Sequence, residues 1–474
     1  MAQLSSTKSG SFQLMADQQA IQDQYQGGKA AVLAAPGAGK TTLISRLISH
    51  WVNEKQVDGR EILVLTFTEN AAREFEQRTR PLLNLSAPGS TQPTFATIHS
   101  FCNRLLRQWH VDYSDRQVAG DERRYGVIDE LLQSENLWSS EIDYTRLMAD
   151  HLIPAYRQRA YLRQPQDTAQ LHAWVGMDSE HAELLVKLPA LMARYDQILT
   201  ESALLDYDLM ILATHELLSQ NPALLDRLRG RYRYLLEDEA QDSNASQTAL
   251  LELIVGDQGN WLRVGDPNQS IYGFGGADYR ELQQFAETER AFPMAQSNRS
   301  SSPIMDFANA YQQAFRSDFP SSVCLEPGFK NPDAGWIWVK AYSHLQDELQ
   351  AAIQAAKTLL AEEQSVGVLC RTNLNGQWLH EQFQQAGLPA VLHHDRADHF
   401  FQSDLVKTLA QVVHFLLEPH QFYRYQQALL ALGVDRYTLK LLLDPEVAVA
   451  EQLQTLAEGM LYHPAAPDLA YQRL

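Results

Sequence analysis

Residues Ala34-Ala35-Pro36-Gly37-Ala38-Gly39-Lys40-Thr41 form a run of small residues that ends in a lysine and a hydroxyl. Such a turn can wrap phosphate oxygens with its backbone N–H groups, because no bulky side chain holds the backbone away. Lys40 would then lie against the β- and γ-phosphates of a nucleotide, and the Thr41 hydroxyl would hold Mg²⁺. The residues expected to line the nucleotide are Ala35, Pro36, Gly37, Ala38, Gly39, Lys40, Thr41 and Thr42. Ala34 stands where the pattern usually opens with Gly, so by itself the run could be an ordinary small-residue turn. Its surroundings favour phosphate binding. Lys29-Ala30-Ala31-Val32-Leu33 has the apolar character of a buried parallel strand, and Leu43, Ile44, Leu47, Ile48, Trp51 and Val52 then recur at helical spacing. That helix would add its positive N-terminal end to the site.

A second run, Leu235-Leu236-Glu237-Asp238-Glu239-Ala240-Gln241-Asp242, places an acidic pair just after an apolar strand. Alone it reads as readily as a solvated acidic turn. With a phosphate loop upstream, Asp238 would reach Mg²⁺ through its water shell and Glu239 would orient and deprotonate an attacking water. In the third run, Val264 to Phe274, Gln269 is placed just past a strand end to sense a γ-phosphate. Tyr272 and Phe274 are aromatics on a Gly-flanked loop where bases could stack, or else plain core residues.

The elements that must position these residues are legible as alternation. Glu61 to Phe67 reads as a second strand followed by a charged helix from Asn70 to Arg80, and apolar strands return at Tyr234-Leu235-Leu236 and Trp261-Leu262-Arg263-Val264. This predicts an α/β fold with a parallel sheet flanked by helices. Between them, residues 111–199 are polar, helical in pattern and without strand signal, and read as a helical insertion. After a Pro/Gly-rich loop near Glu326-Pro327-Gly328, a second α/β pattern is expected: strands at Trp336 to Val339 and Val366 to Cys370, each followed by a helix.

The bulk numbers exclude some classes. At 474 residues the chain can hold several domains, and no apolar run reaches membrane-span length. The N-terminal segment has no apolar core of the signal-peptide kind, and Cys102, Cys324 and Cys370 lie far apart, so a reducing cytoplasm is expected, without a membrane. The net charge of −19 argues against a broadly basic surface. Any nucleic acid should therefore be held by stacking and a confined basic track, with weak and salt-sensitive affinity.

The order of these segments resembles the UvrD/Rep/PcrA-like helicases of superfamily 1A. The resemblance implies an ATP-driven DNA translocase with two RecA-like domains, and it runs through most of the first 300 residues. Gln18 in Met15-Ala16-Asp17-Gln18-Gln19 matches the family's adenine-reading glutamine, with Gln19 one register away. Thr66-Phe67-Thr68-Glu69-Asn70-Ala71-Ala72 is similar to "TFTNKAA", which puts Thr66 and Phe67 on DNA. Thr97-Ile98-His99-Ser100-Phe101 is similar to "TxHxF", with His99 as a DNA contact. Leu205-Asp206-Tyr207-Asp208 resembles "LDFDD". Gln296-Ser297-Asn298-Arg299-Ser300 resembles "QNYRS", so Arg299 would reach the γ-phosphate. The implied cofactors are ATP and Mg²⁺, and the implied partner is single-stranded DNA or DNA with a single-stranded tail.

Some positions depart from the family. Asn298 replaces a tyrosine that stacks on adenine, and Gly275 replaces a DNA-contacting arginine. Two segments of the second motor domain, of the "TxHxxKGLE" and "VxxTRA" types, do not occur before Leu474. The expected organisation is a P-loop RecA-like domain in two parts (1–110 and 200–295) around the helical insertion 111–199. A partial second RecA-like domain (296–420) and the start of a second helical insertion (421–474) would follow. The rival reading is an ATP- and DNA-binding module without complete motor activity, a truncated or split helicase needing a partner chain. His393, His394, Asp395, Asp398 and His399 read as a solvated loop rather than a metal site.

Overall fold

Six parallel strands build the central sheet: Lys29–Ala34 (β1), Ile62–Thr66 (β2), Thr94–Thr97 (β3), Tyr234–Asp238 (β4), Asn260–Gly265 (β5) and Arg290–Met294 (β6). Their order across the sheet is β3-β2-β4-β5-β1-β6. The computed structural model describes residues 14–84, 91–137, 144–161, 182–273, 276–317, 322–329 and 335–392. These divide into a unit reaching Gly335 and a second unit of residues 336–392.

The sheet is buried on both faces, which explains its continuous apolar strands. On one face Ala30, Val32, Ile62, Val64, Leu236, Leu262 and Val264 pack under Ala16–Gln24 (α1), Lys40–Asn53 (α2) and Glu69–Thr79 (α3). The helical spacing seen after the phosphate loop is the buried stripe of α2, from Leu43 to Trp51. The opposite face, with Ala31, Leu63, Leu65, Leu235 and Trp261, packs against a second helical layer. That layer contains Ile98–Trp109 (α4), Tyr207–Gln220 (α8), Pro222–Arg231 (α9), Ala245–Val255 (α10) and Tyr279–Thr288 (α11). Side-chain caps start several of these helices. Thr68 accepts from the Ala71 N–H at α3, Asp206 from Leu209 at α8, and Thr97 and Asn244 form capping boxes at α4 and α10.

The described helices of the insertion include Asp121–Ser134 (α5), Ile153–Tyr161 (α6) and Ala182–Glu201 (α7), with a short helical stretch at Tyr144–Leu147 and Met148–Leu152 before α6. They share a core around Ile128, Met148, Leu188 and Tyr195. Although that stretch shows no strand signal in sequence, Gln117–Val118 pairs in parallel with Leu204–Leu205 where the insertion leaves and rejoins the sheet domain. Helix Ser302–Ala314 (α12) completes the described helices of this unit.

In the second unit Leu345–Ala361 (α13) and Asn373–Gln385 (α14) share a small core of Leu349, Ile353 and Phe383. The strands expected at Trp336 to Val339 and Val366 to Cys370 are not formed among the described residues. Trp336 is 71% exposed and Leu369 fully so, and neither segment has a ladder partner there. Apolar β-branched sequence marks the capacity to pair, but a strand exists only beside a neighbour that takes its hydrogen bonds. Residues 393–474, with the histidine cluster and the segment expected to start a second insertion, lie outside the described residues.

Candidate functional site

The phosphate loop, the acidic turn and the Gln269 loop each sit at a strand's carboxyl end, where ligands of open parallel sheets bind, and Gln18 reaches them from helix α1. The phosphate loop joins β1 to α2. Gly37 and Gly39 have φ of +77° and +82°, in the left-handed region. A Cβ on Gly37 would lie 2.6 Å from both the Arg299 Cβ and the Ser297 Oγ, so Arg299 is packed directly against the loop. Gln18 is buried beside it. Its amide donates to the carbonyls of Ala38 (2.9 Å) and Gly39 (3.3 Å), and its oxygen accepts from the Met15 N–H (3.0 Å). Gln19 is exposed, bonded to Asp23, and lines a separate 720 Å³ cavity with Arg46, His50 and Gln296.

The acidic turn leaves β4. Glu239 adopts φ 54°, ψ 42°, a left-handed conformation uncommon outside glycine. This turn brings Glu239 Oε2 to 2.7 Å from Lys40 Nζ. Gln241 ties the neighbouring groups together: its Nε2 donates to Glu239 (2.9 Å) and Asp242 (3.3 Å), while its Oε1 accepts from the Asp266 N–H (3.0 Å) at the end of β5. Asp266 in turn accepts from the Asn268 N–H (3.0 Å) and from Gln269 Nε2 (2.8 Å), which anchors Gln269. Burial, followed by the neighbouring Glu239 carboxylate, pushes Asp238 up to about 7 against the Lys40 charge. The same causes raise Asp242 to about 6, and burial raises Asp266.

A divalent cation fits this corner. Asp238 Oδ1 and Asp242 Oδ1 are buried without a hydrogen-bond partner in the protein. Thr41, Asp238, Glu239 and Gln269 line one 370 Å³ cavity. Mg²⁺ typically takes one or two carboxylates and completes its shell with water and phosphate oxygens. Among the described residues no group of three or more His, Cys, Asp or Glu is placed to hold a metal ion by protein ligands alone.

Beside it lies an 840 Å³ cavity lined by Phe67, His99, Tyr125, Tyr207 and Tyr272 together with acidic groups from Glu69 to Asp242. Phe67 and Tyr272 also line the smaller cavity, and their rings lie 4.4 Å apart, so this aromatic pair forms a shared wall. His99 meets Tyr207 edge to face at 5.1 Å, and burial lowers its pKa to about 4, so the ring is neutral near pH 7. Thr66, grouped with the aromatics in sequence, lines the smaller cavity instead, and its hydroxyl donates to the Thr68 carbonyl (3.0 Å). Phe274 and Gly275 lie outside the described residues.

Residues 14–290 match the UvrD/REP helicase N-terminal domain family. The chain belongs to that family. It is 28% identical over 379 residues to the ATP-dependent DNA helicase PcrA of Staphylococcus epidermidis, covering 77% of this chain and 49% of that protein. The PcrA of Staphylococcus aureus is 26% identical over 385 residues, with the same coverage. The chain thus spans about half the length of the curated relatives it matches.

Within this UvrD/REP domain, sequence reasoning passed over Gln241 and Tyr207. Both stood inside quoted motifs, yet side-chain type alone gives no sign that Gln241 spans two strand ends or that Tyr207 faces a cavity. Glu237 and Arg263 were also missed, although a charged residue inside an otherwise apolar strand is a legible signal.

Proposed function

We propose that this UvrD/REP-family chain binds ATP with Mg²⁺ at the phosphate loop and hydrolyses it, coupling turnover to movement along single-stranded DNA as a helicase-type motor. The observation that carries this reading is the 2.7 Å approach of Lys40 Nζ to Glu239 Oε2, which unites the phosphate loop and the acidic turn. The name ATP-dependent DNA helicase borne by the PcrA relatives supports the same direction.

Lys40 and the loop N–H groups would hold the β- and γ-phosphates. Asp238 and Thr41 would hold Mg²⁺, which when bound supplies charge neutralisation at the phosphate oxygens. Glu239 then takes a proton from the attacking water as the water oxygen bonds to the γ-phosphorus and the bond to the leaving ADP oxygen breaks. Gln269, anchored by Asp266, senses the γ-phosphate, and Arg299 stabilises the charge that develops there. Gln18 braces the loop where the base enters. Phe67, His99, Tyr272 and Phe274 would contact the strand, the aromatics by stacking and neutral His99 as a hydrogen-bonding group rather than a cation. Residues 296–420 would form a partial second RecA-like domain. Among the described residues no helix is long and apolar enough to cross a membrane.

The test compares the chain with Glu239→Gln in ATP hydrolysis, with and without single-stranded DNA. DNA-stimulated turnover by the wild type, lost by about a hundredfold or more in the variant while nucleotide still binds, is expected. Nucleotide and DNA binding without turnover by the wild type would replace the motor reading with that of a binding module.

A further inference from the structure

Glu237 and Arg263 are register partners on the adjacent central strands β4 and β5, and both side chains are inaccessible to solvent. They face the layer formed by α10 and α11, where their strand neighbours Leu235 and Trp261 are core residues. An ion pair at such a position is weak evidence for stability, since a well-packed apolar pair often serves the core as well. What distinguishes this one is where its hydrogen bonds go.

Glu237 Oε2 accepts from Arg263 Nε (2.9 Å) and Trp261 Nε1 (3.2 Å). Its Oε1 accepts from Ser243 Oγ (2.6 Å) and Arg263 Nη2 (3.3 Å). Arg263 also donates to Thr248 Oγ1 on α10 (3.2 Å) and to the Glu281 carbonyl on α11 (3.4 Å), and its guanidinium lies over the Trp261 ring. Glu237 directly precedes Asp238, and Ser243 directly follows Asp242. The Glu237–Ser243 bond therefore closes the acidic turn at its base, with Asp238, Glu239 and Gln241 inside the loop. On the other strand Arg263 stands two residues before Gly265, where a Cβ would meet Gln241 Oε1 at 2.5 Å. One polar cluster thus reaches the ends of both strands that carry hydrolytic groups.

We propose that Glu237 and Arg263 are positioning residues, clamping the acidic turn through Ser243 so that the left-handed Glu239 and the Gln241 bridge to Asp266 keep their geometry. Glu237, Ser243 and Arg263 line neither the cavity beside Thr41 nor the larger aromatic one, and their proposed effect on turnover rests on the hydrolytic reading above. A small displacement of a catalytic group lowers the rate of chemistry more than it lowers substrate affinity.

The experiment uses the full chain as wild type, Ser243→Ala, and the double variant Glu237→Met/Arg263→Met, which leaves no buried charge unpaired. ATP turnover, thermal melting and amide exchange over residues 238–243 are measured for each. The expected result is a kcat about tenfold or more lower in the double variant and a smaller loss in Ser243→Ala, with KM for ATP changed by less than about twofold. Exchange should quicken in the acidic turn and stay unchanged at the phosphate loop. An unchanged kcat in a folded variant overturns the proposal, as does exchange that quickens across the whole sheet. If the double variant does not fold, Ser243→Ala decides by the same criteria. If the wild type turns over no ATP, the hydrolytic reading fails, and the exchange pattern alone judges the clamp.

Discussion

Lys40 and Glu239 are 199 positions apart in the chain and 2.7 Å apart in space. Their types announced a phosphate-binding lysine and a base; the contact required β1 and β4 to lie in one sheet with their ends level. Gln18 was legible as a residue of this site, yet its hydrogen bonds to Ala38 and Gly39 depend on α1 docking against the loop. His99 gives a pH test. Its folded pKa of about 4 lies below the ordinary 6.5, so between those values the unfolded chain binds more protons and stability is lost as pH falls. Asp208, raised to about 6 by burial and then by Asp206, acts oppositely, since there the folded state holds the proton. The His99 contribution is therefore read by difference. The gap in melting temperature between wild type and His99→Gln should narrow from about pH 7 to about pH 4.5. A constant gap would remove His99 as the titrating group.

At the scale of elements, the sheet domain depends on how its helices begin. Thr97 caps α4, which carries His99, by accepting from the Ser100 N–H (3.0 Å). Asp206 caps α8 by accepting from the Leu209 N–H (2.8 Å), and it also pairs with Arg157 on insertion helix α6 and accepts from Tyr195 OH (3.0 Å) on α7. Thr97→Ala should lose about 1 kcal/mol, as for a cap alone. Asp206→Ala should lose about 2 kcal/mol or more, because it also removes one of the two carboxylates paired with the buried Arg157, leaving Asp196, and the acceptor of the Tyr195 hydroxyl. Denaturant melts of both variants check this; equal losses would mean that the Arg157 pair contributes nothing. Apolar pattern revealed β1, β2, β4 and β5 in advance. It did not reveal β6, where Pro293 interrupts the run and is tolerated because β6 is an edge strand. It overstated Trp336 to Val339 and Val366 to Cys370, whose apolar side chains have no neighbouring strand among the described residues.

For the molecule as a whole, a net charge of −19 and acidic groups around the larger cavity mean that the proposed strand would be held mainly by aromatic stacking. Phe67 and Tyr272 form the wall between that cavity and the one at the acidic turn, so a base stacked on them would be felt beside Glu239, the proposed base. Phe67→Ala/Tyr272→Ala should weaken single-stranded DNA binding by about tenfold or more and abolish DNA stimulation of hydrolysis, while nucleotide affinity stays unchanged. Titrations of labelled oligonucleotide and nucleotide check both; full DNA stimulation in the double variant would move the coupling elsewhere.

Sequence alone determined the family, the α/β class and the chemical character of the site, because phosphate binding demands small residues, a lysine and a hydroxyl at fixed spacing. Local sequence also sets several helix starts, at Thr68, Thr97, Asp206 and Asn244, since those caps are bonds between residues three positions apart. Only the tertiary structure decided how those groups meet. Glu239 reaches Lys40 through a left-handed turn whose base is closed by the Ser243–Glu237 hydrogen bond, Gln241 bridges two strand ends, and Phe67 pairs with Tyr272 across the chain. Such contacts join distant segments and depend on register and burial, which the order of residue types along the chain does not encode locally.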